Sequence, residues 1–179
     1  MSSYFDFDRQ RYESRRSHSL RFLFLLRRCQ ESNNLIWRVL KSVYGRKYGL
    51  EISADTVIGP GLYLGHAYGI SINPQAVIGC NVNIHKGVTI GQENRGARKG
   101  APVIGDSVWI GANSVIVGNV TIGDDVLIAP LTFVNRDIPS HSIALGNPCR
   151  VISKEWATEG YINRTVDATL FVDRKKEQF

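Results

Sequence analysis

The sequence predicts a mainly β protein: a parallel solenoid of six-residue units, preceded by a short helical segment and followed by a tail. Three observations carry that expectation. Apolar anchors recur every six residues at Ile52, Ile58, Leu64 and Ile70, again at Ile72, Ile78, Ile84 and Ile90, and then at Ile104, Ile110, Ile116, Ile122, Ile128 and Val134. A β-branched or small residue stands four places after many anchors, as at Val108, Ser114, Val120, Val126 and Thr132. Glycine often follows the anchor directly, as at Gly59, Gly65, Gly79, Gly91, Gly105, Gly111 and Gly123. A helix, with its period of about 3.6, would scatter such residues around its circumference. A sandwich with regular turns would not hold one phase for so long. Short strands joined by corners do hold it: three hexads close one triangular coil, and coils stack at roughly 4.8 Å, the ordinary strand spacing. Residues about eighteen apart then lie above one another.

Residues 1–50 are expected to form a basic helical segment. They hold eleven Lys and Arg against four Asp and Glu, whereas residues 51–152 hold six against seven and residues 153–179 five against five, so the net charge of +6 arises there. Ser32, Asn33 and Asn34 offer helix caps, Leu35, Ile36, Val39, Leu40, Val43 and Tyr44 form one stripe, and Gly45 or Gly49 ends it. Upstream, the apolar patch from Leu20 to Leu26 is flanked by Arg15, Arg16, Arg21, Arg27 and Arg28. The segment as a whole is expected to cap the open end of the solenoid and meet its neighbours, with its Arg and Lys toward water. A second reading has this surface meet an anionic membrane face or a lipid-linked acceptor. The solenoid occupies residues 51–152, and the tail, 153–179, is expected to pack along its outside or lack order, with no assigned role.

Cys29, Cys80 and Cys149 are odd in number and form no CxxC pair, which points to a reducing compartment. With no signal-like start and no membrane-length apolar run, the chain is expected in the cytoplasm, or at the inner face of the membrane. The signatures of nucleic-acid binding are missing from the sequence. A metal triad needs three converging imidazoles, and at most two histidines fall on one face, so no metal is expected.

Chemistry is expected where the period breaks. Residues 92–102, QENRGARKGAP, interrupt the hexads with a basic loop in which Arg95, Arg98 and Lys99 are the phosphate-facing groups. His66 follows Gly65 in the hexad of Leu64, which places its ring at a corner or on the outside of the prism, beside a two-residue slip of register. Glu51, fifteen residues earlier, is expected one coil below. A carboxylate there would fix the imidazole tautomer and raise the basicity of its other nitrogen, as a general base requires. His85 is expected one coil above His66, and with Gly65 and Tyr68 it is a candidate for contact with the acceptor.

The run YGLEISADTVIGPGLYLGHAYGISINPQAVIGCNVNIHKGVTIG, then PVIGDSVWIGANSVIVGNVTIGDDVLIAPLTFVNRDIP and GNPCRVI, resembles the hexapeptide acyltransferases over roughly residues 33–153. It is most similar to the serine acetyltransferase branch, in particular its short members associated with surface polysaccharides. The resemblance implies a left-handed parallel β-helix, a homotrimer, and acetyl-CoA bound between neighbouring solenoids. It places the family's catalytic histidine on His66 and the acid partner on Glu51, where Asp is more usual. Donor contacts fall near Gly91, Ala112 and Pro130, the extended loop on residues 92–102, and the basic C-terminal stretch on Gly146, Pro148 and Arg150, with Cys149 where Ala is usual.

Two departures bear on the acceptor. Enzymes of the cysteine pathway have Asp before the catalytic histidine and an Arg-His pair late in the loop, where this chain has Gly65, Gly100 and Ala101. A pocket for a free amino acid needs charges opposite to its ammonium and carboxylate. The expected acceptor is therefore a sugar hydroxyl on a surface-polysaccharide precursor, with serine O-acetylation as the alternative. A γ-carbonic-anhydrase-like metalloenzyme and a non-catalytic scaffold are more distant readings. The expected chemistry is direct acetyl transfer, since no cysteine falls on a family nucleophile position.

Overall fold

The structure is a computed structural model that describes residues 3–14, 17–32 and 34–167. Arg15, Arg16, Asn33 and the tail from residue 168 lie outside the described residues. Three helices come first: α1 (Tyr4–Gln10), α2 (His18–Glu31) and α3 (Leu35–Tyr48). The solenoid then rises coil by coil. Its first coil is β1 (Glu51–Ile52), β2 (Val57–Ile58) and β3 (Tyr63–Gly65), and its second is β4 (Ser71–Ile72), β5 (Val77–Ile78) and β6 (Asn83–His85). The third is β7 (Thr89–Gly91), β8 (Val103–Ile104) and β9 (Trp109–Ile110), and the fourth β10 (Val115–Val117), β11 (Thr121–Ile122) and β12 (Val126–Ile128). β13 (Phe133–Val134), β14 (Ser142–Leu145) and β15 (Arg150–Ser153) close the top.

Every third strand pairs in parallel, which gives three faces: β1-β4-β7-β10-β13, then β2-β5-β8-β11, then β3-β6-β9-β12-β14 with β15 added antiparallel. The anchors all point inward; Ile52, Leu64, Ile78, Ile90, Ile110, Ile128 and Val134 belong to one buried core. The upper coils repeat every eighteen residues, as Val103 with Thr121 and Val115 with Phe133 show. The first step is longer, with Glu51 paired to Ser71, and the second-to-third step on β5 and β6 is longer still, with Val77 paired to Val103. These steps of twenty and twenty-six residues are the slip after Leu64 and the 92–102 loop, read as geometry.

The helical segment covers the open end through α2 rather than α3. Phe22, Leu23 and Leu26 join the solenoid core, so the dense patch supplies the lid. The aliphatic residues of the α3 stripe face outward, with Leu35 73 % and Val43 62 % exposed, whereas Tyr44 packs against the core. α3 ends as its sequence suggests, on Gly49 in the left-handed region (φ 66°), whose amide caps the Gly45 carbonyl.

Part of the basic surplus is structural, which corrects the expectation that these cations face water. Arg27 is buried, pairs with Asp8 of α1 at 2.7 Å, and donates to the carbonyls of Ile58 and Gly59. Arg11 is buried too, bonded to Gly61, Asn83 and Asn163. Guanidinium groups suit this task because their five donors can satisfy several carbonyls at once.

The described part of the tail packs against the third face. Thr158 donates to Asp125 through its amide and hydroxyl, Asn83 donates to the Tyr161 carbonyl, and Asn81 exchanges two hydrogen bonds with Val166. Burial would raise the Asp125 carboxyl, but the hydrogen bonds from Thr158, His141 and Ala157 hold it below the usual carboxylate range.

Candidate active site

Most left-handed corner residues of the solenoid fall into two columns. Asn81, Ser107, Asp125 and His141 stand on the edge between the second and third faces, and Gly69, Gly87, Asn113 and Leu131 on the edge between the third and first. His66 is also left-handed (φ 51°) but belongs to neither column. Gly65 pairs with His85, whereas the Gly87 amide already bonds the Tyr68 carbonyl. His66 and Ala67 are therefore the two extra residues, an outward bulge on the third–first edge. The left-handed φ alone does not single out His66, since six other non-glycine residues hold it at regular corners; the two extra residues do.

The start of α2 fixes the bulge. His18 Nε2 donates to the Ala67 carbonyl at 3.0 Å, and Ser19 Oγ accepts from the Ala67 amide at 3.4 Å. Tyr48 and Tyr68 pack their rings against His18. The His66 ring stays exposed and opens into a groove of about 550 Å³ on the third face. Tyr12, His85, Trp109 and Tyr161 supply its aromatic wall, with Trp109 between His85 (4.7 Å) and Tyr161 (5.1 Å). This volume lies within the usual range of small-ligand sites.

His85 sits over Gly65, one residue away from the expected place over His66. A Cβ at position 65 would come within 2.6 Å of the His85 ring, which occupies the space that a side chain there would take. Burial, and then the charge of His66, lower the His85 pKa, so this imidazole is neutral at neutral pH. Its Nε2 is buried without a hydrogen-bond partner among the described residues. Tyr68, a candidate for the acceptor, is turned toward His18 and Tyr48.

Glu51 is not beneath His66. It opens the same coil that His66 closes, accepts from Ser71 Oγ at 3.2 Å, and lines a different groove, of about 790 Å³, on the first face. No hydrogen bond joins Glu51 to His66 among the described residues. Fifteen residues fall short of a coil: a regular eighteen-residue step would set residue 69 above Glu51, and the bulge moves that partner on to Ser71.

The donor candidates divide between two edges. Ala112 and Pro130 lie on the third–first edge above His66, where the Leu131 amide bonds the Ala112 carbonyl, and Arg150 reaches the top of that edge where β15 meets Leu145. Gly91 and the loop leave from the end of β7, on the first–second edge. The loop is tied down there: Glu93 and Gly100 pair, the Asn119 amide bonds the Arg98 carbonyl, and the Arg98 side chain bonds the Asn135 carbonyl. Arg95, Arg98 and Lys99 are exposed but stand across the first face from His66, about 16 Å away for five extended residues. The expected proximity of loop and histidine does not hold within one chain.

Sequence reasoning missed His18, Ser19, Trp109 and Tyr161. Trp109 had a signal: it occupies the same outward position of its hexad as Tyr63 and Asn83, in one column on the third face.

The stacked hexad coils have counterparts among known proteins: residues 101–136 match the family model described as bacterial transferase hexapeptide (six repeats). The chain belongs to the serine acetyltransferase family. It is 32 % identical over 138 residues to the serine acetyltransferase of Helicobacter pylori (strain 26695), an alignment covering 77 % of this chain and 74 % of that protein. Serine acetyltransferase 2 of Arabidopsis thaliana is 36 % identical over 122 residues, 68 % of this chain and 38 % of that protein. The solved structure of the Neisseria gonorrhoeae serine acetyltransferase in complex with serine matches with a TM-score of 0.68 at 26 % identity, over 84 % of this chain and 68 % of that one. The chain thus spans less than two fifths of the Arabidopsis relatives it matches. These relatives overturn the sugar acceptor and the polysaccharide setting. The uncharged residues at 65, 100 and 101 were too slender a basis for that expectation, because charges elsewhere on the groove can serve an amino acid.

Proposed function

We propose that the protein is an acetyl-CoA-dependent serine O-acetyltransferase, with His66 as the general base. The observation that supports this most is the His66–Ala67 bulge, which lifts one imidazole out of the regular edge into a small-ligand groove, in a chain whose relatives are serine acetyltransferases. His66 takes the proton from the serine hydroxyl as its oxygen attacks the thioester carbonyl. Collapse of the tetrahedral intermediate breaks the C–S bond, and His66 returns the proton to the leaving thiolate, giving O-acetylserine and CoA. The neutral His85 neither repels the imidazolium formed on His66 nor competes for the proton.

The donor is assigned to the third–first edge. From His66 past Ala112 and Pro130 to Arg150 the edge climbs four coils, roughly 19 Å, a path for an extended pantetheine arm with a cation at its far end. Gly91, Arg95, Arg98 and Lys99 stand on the other margin of the first face, so they serve a donor bound to a neighbouring copy. A threefold assembly, which sets the first–second edge of one chain against the third–first edge of the next, reunites the two groups. Glu51 of the same chain has no direct part in orienting His66 in this arrangement.

The test is CoA release and O-acetylserine formation by purified protein given acetyl-CoA with and without L-serine. Serine-dependent release that yields O-acetylserine supports the reading. Release at the acetyl-CoA background rate, at saturating serine, contradicts it.

A further inference from the structure

The two ends of the chain meet on the wall of the His66 groove. Glu13, after α1, and Arg164, from the tail, line that groove and pair at 2.9 Å. Their side chains are 84 % and 49 % exposed, and an ion pair in water contributes little to stability. The backbone that carries them, by contrast, is held firmly. Arg11 bonds the Asn163 carbonyl, Asn81 bonds Val166 in both directions, and Asn83 bonds the Tyr161 carbonyl. Arg164 itself adopts the left-handed region (φ 56°), which an L residue occupies at a cost. A fixed frame thus presents one cation and one anion at the mouth of the groove, in a contact the fold does not need.

A free amino acid carries a carboxylate and an ammonium on one carbon, and a selective pocket must meet both. Position 65 has no side chain and its space holds the His85 ring, while Gly100 lies beside Asn119, away from His66. Arg164 and Glu13 are charges of the required signs on the groove that His66 faces. We propose that they recognise the acceptor amino acid, the Arg164 guanidinium taking its α-carboxylate and the Glu13 carboxylate its α-ammonium, so that its hydroxyl meets His66. Binding exchanges their mutual contact for two contacts to the zwitterion. This inference rests on the serine reading above.

Steady-state kinetics of the full chain test it, with wild type, Arg164→Gln, Glu13→Gln and the double exchange Glu13→Arg/Arg164→Glu. For Arg164→Gln the KM for L-serine should rise at least about tenfold while kcat stays within about threefold and the KM for acetyl-CoA is unchanged. Its preference for L-serine over serinamide, which lacks the carboxylate, should fall by about the same factor. Glu13→Gln should lose preference for L-serine over 3-hydroxypropionate, which lacks the amine. The double exchange restores the ion pair but reverses the signs, so a merely structural pair regains the wild-type KM and a recognition pair does not. Unchanged serine KM in both single variants, a lowered melting temperature that accounts for their loss, or full recovery in the double exchange overturns the proposal and leaves the serine reading standing. A wild type that does not acetylate serine removes both.

Discussion

The first coil and the upper coils are built from the same hexad yet behave as different kinds of structure. From β8 upward the step is eighteen residues wherever Val103, Trp109 and Val115 meet their partners, the corners stack, and the outward surface carries short strands. At the bottom the step lengthens to twenty, the bulge turns the His66 side chain outward while Ala67 stays buried, and α2, Tyr12 and the tail gather round it. Regularity supplies the stiffness, and the interruption at the first coil exposes one imidazole on it. An imidazole within the regular repeat would lie flat against its neighbours above and below; on the bulge it is exposed on a rigid support.

Several substitutions break or sharpen that contrast. His66→Ala should lower serine-dependent turnover by about 10²–10⁴-fold with an unchanged melting temperature, the range for removing a general base. The same replacement of Ser107, a left-handed corner residue on the second–third edge of the upper coils, should leave turnover near wild type. Asp8→Ala should reduce stability by about 3–5 kcal/mol, because it leaves the Arg27 guanidinium buried with carbonyls alone. Ile110→Ala, in the upper coils, should cost about 2–5 kcal/mol by cavity formation, and denaturant titration reads both. Gly65→Ala forces the His85 ring off its seat and should lower kcat by about tenfold, the scale of misplacing groups around a reacting centre.

The smallest effect concerns pH. The His85 pKa lies below 6.5 when folded, so as pH falls through 6.5 the unfolded chain binds a proton that the native protein resists. Stability should therefore decline as pH drops through the window just below 6.5, and His85→Asn should flatten that decline in melting curves.

The solenoid was legible because the anchors from Ile52 to Val134 keep a period of six within each of three runs, and periodicity needs no knowledge of distant contacts. His66 was legible as a departure from that period. The carboxylate below it was not: fifteen residues are short of the eighteen-residue coil, and the bulge widens the mismatch. The separation of loop and histidine could have been read by counting hexads, since Ile90 falls on the face of Ile52 and Ile72, and Leu64 on that of Ile84. The groove's remaining walls could not. Arg11, Tyr161 and Arg164 reach the third face through contacts between residues more than seventy positions apart, and neither the N-terminal segment nor the tail repeats. The outward turn of α3 was hidden for a similar reason, because an amphipathic stripe does not declare what it faces.

A crystal structure of the protein with CoA tests the central claim most directly. The account predicts the CoA sulfur within about 3.5 Å of a His66 ring nitrogen, the pantetheine arm running up the third–first edge past Ala112 and Pro130, and residues 92–102 of a second copy closing over it. CoA seated on another edge, or His66 separated from the sulfur by ordered protein, would contradict the account.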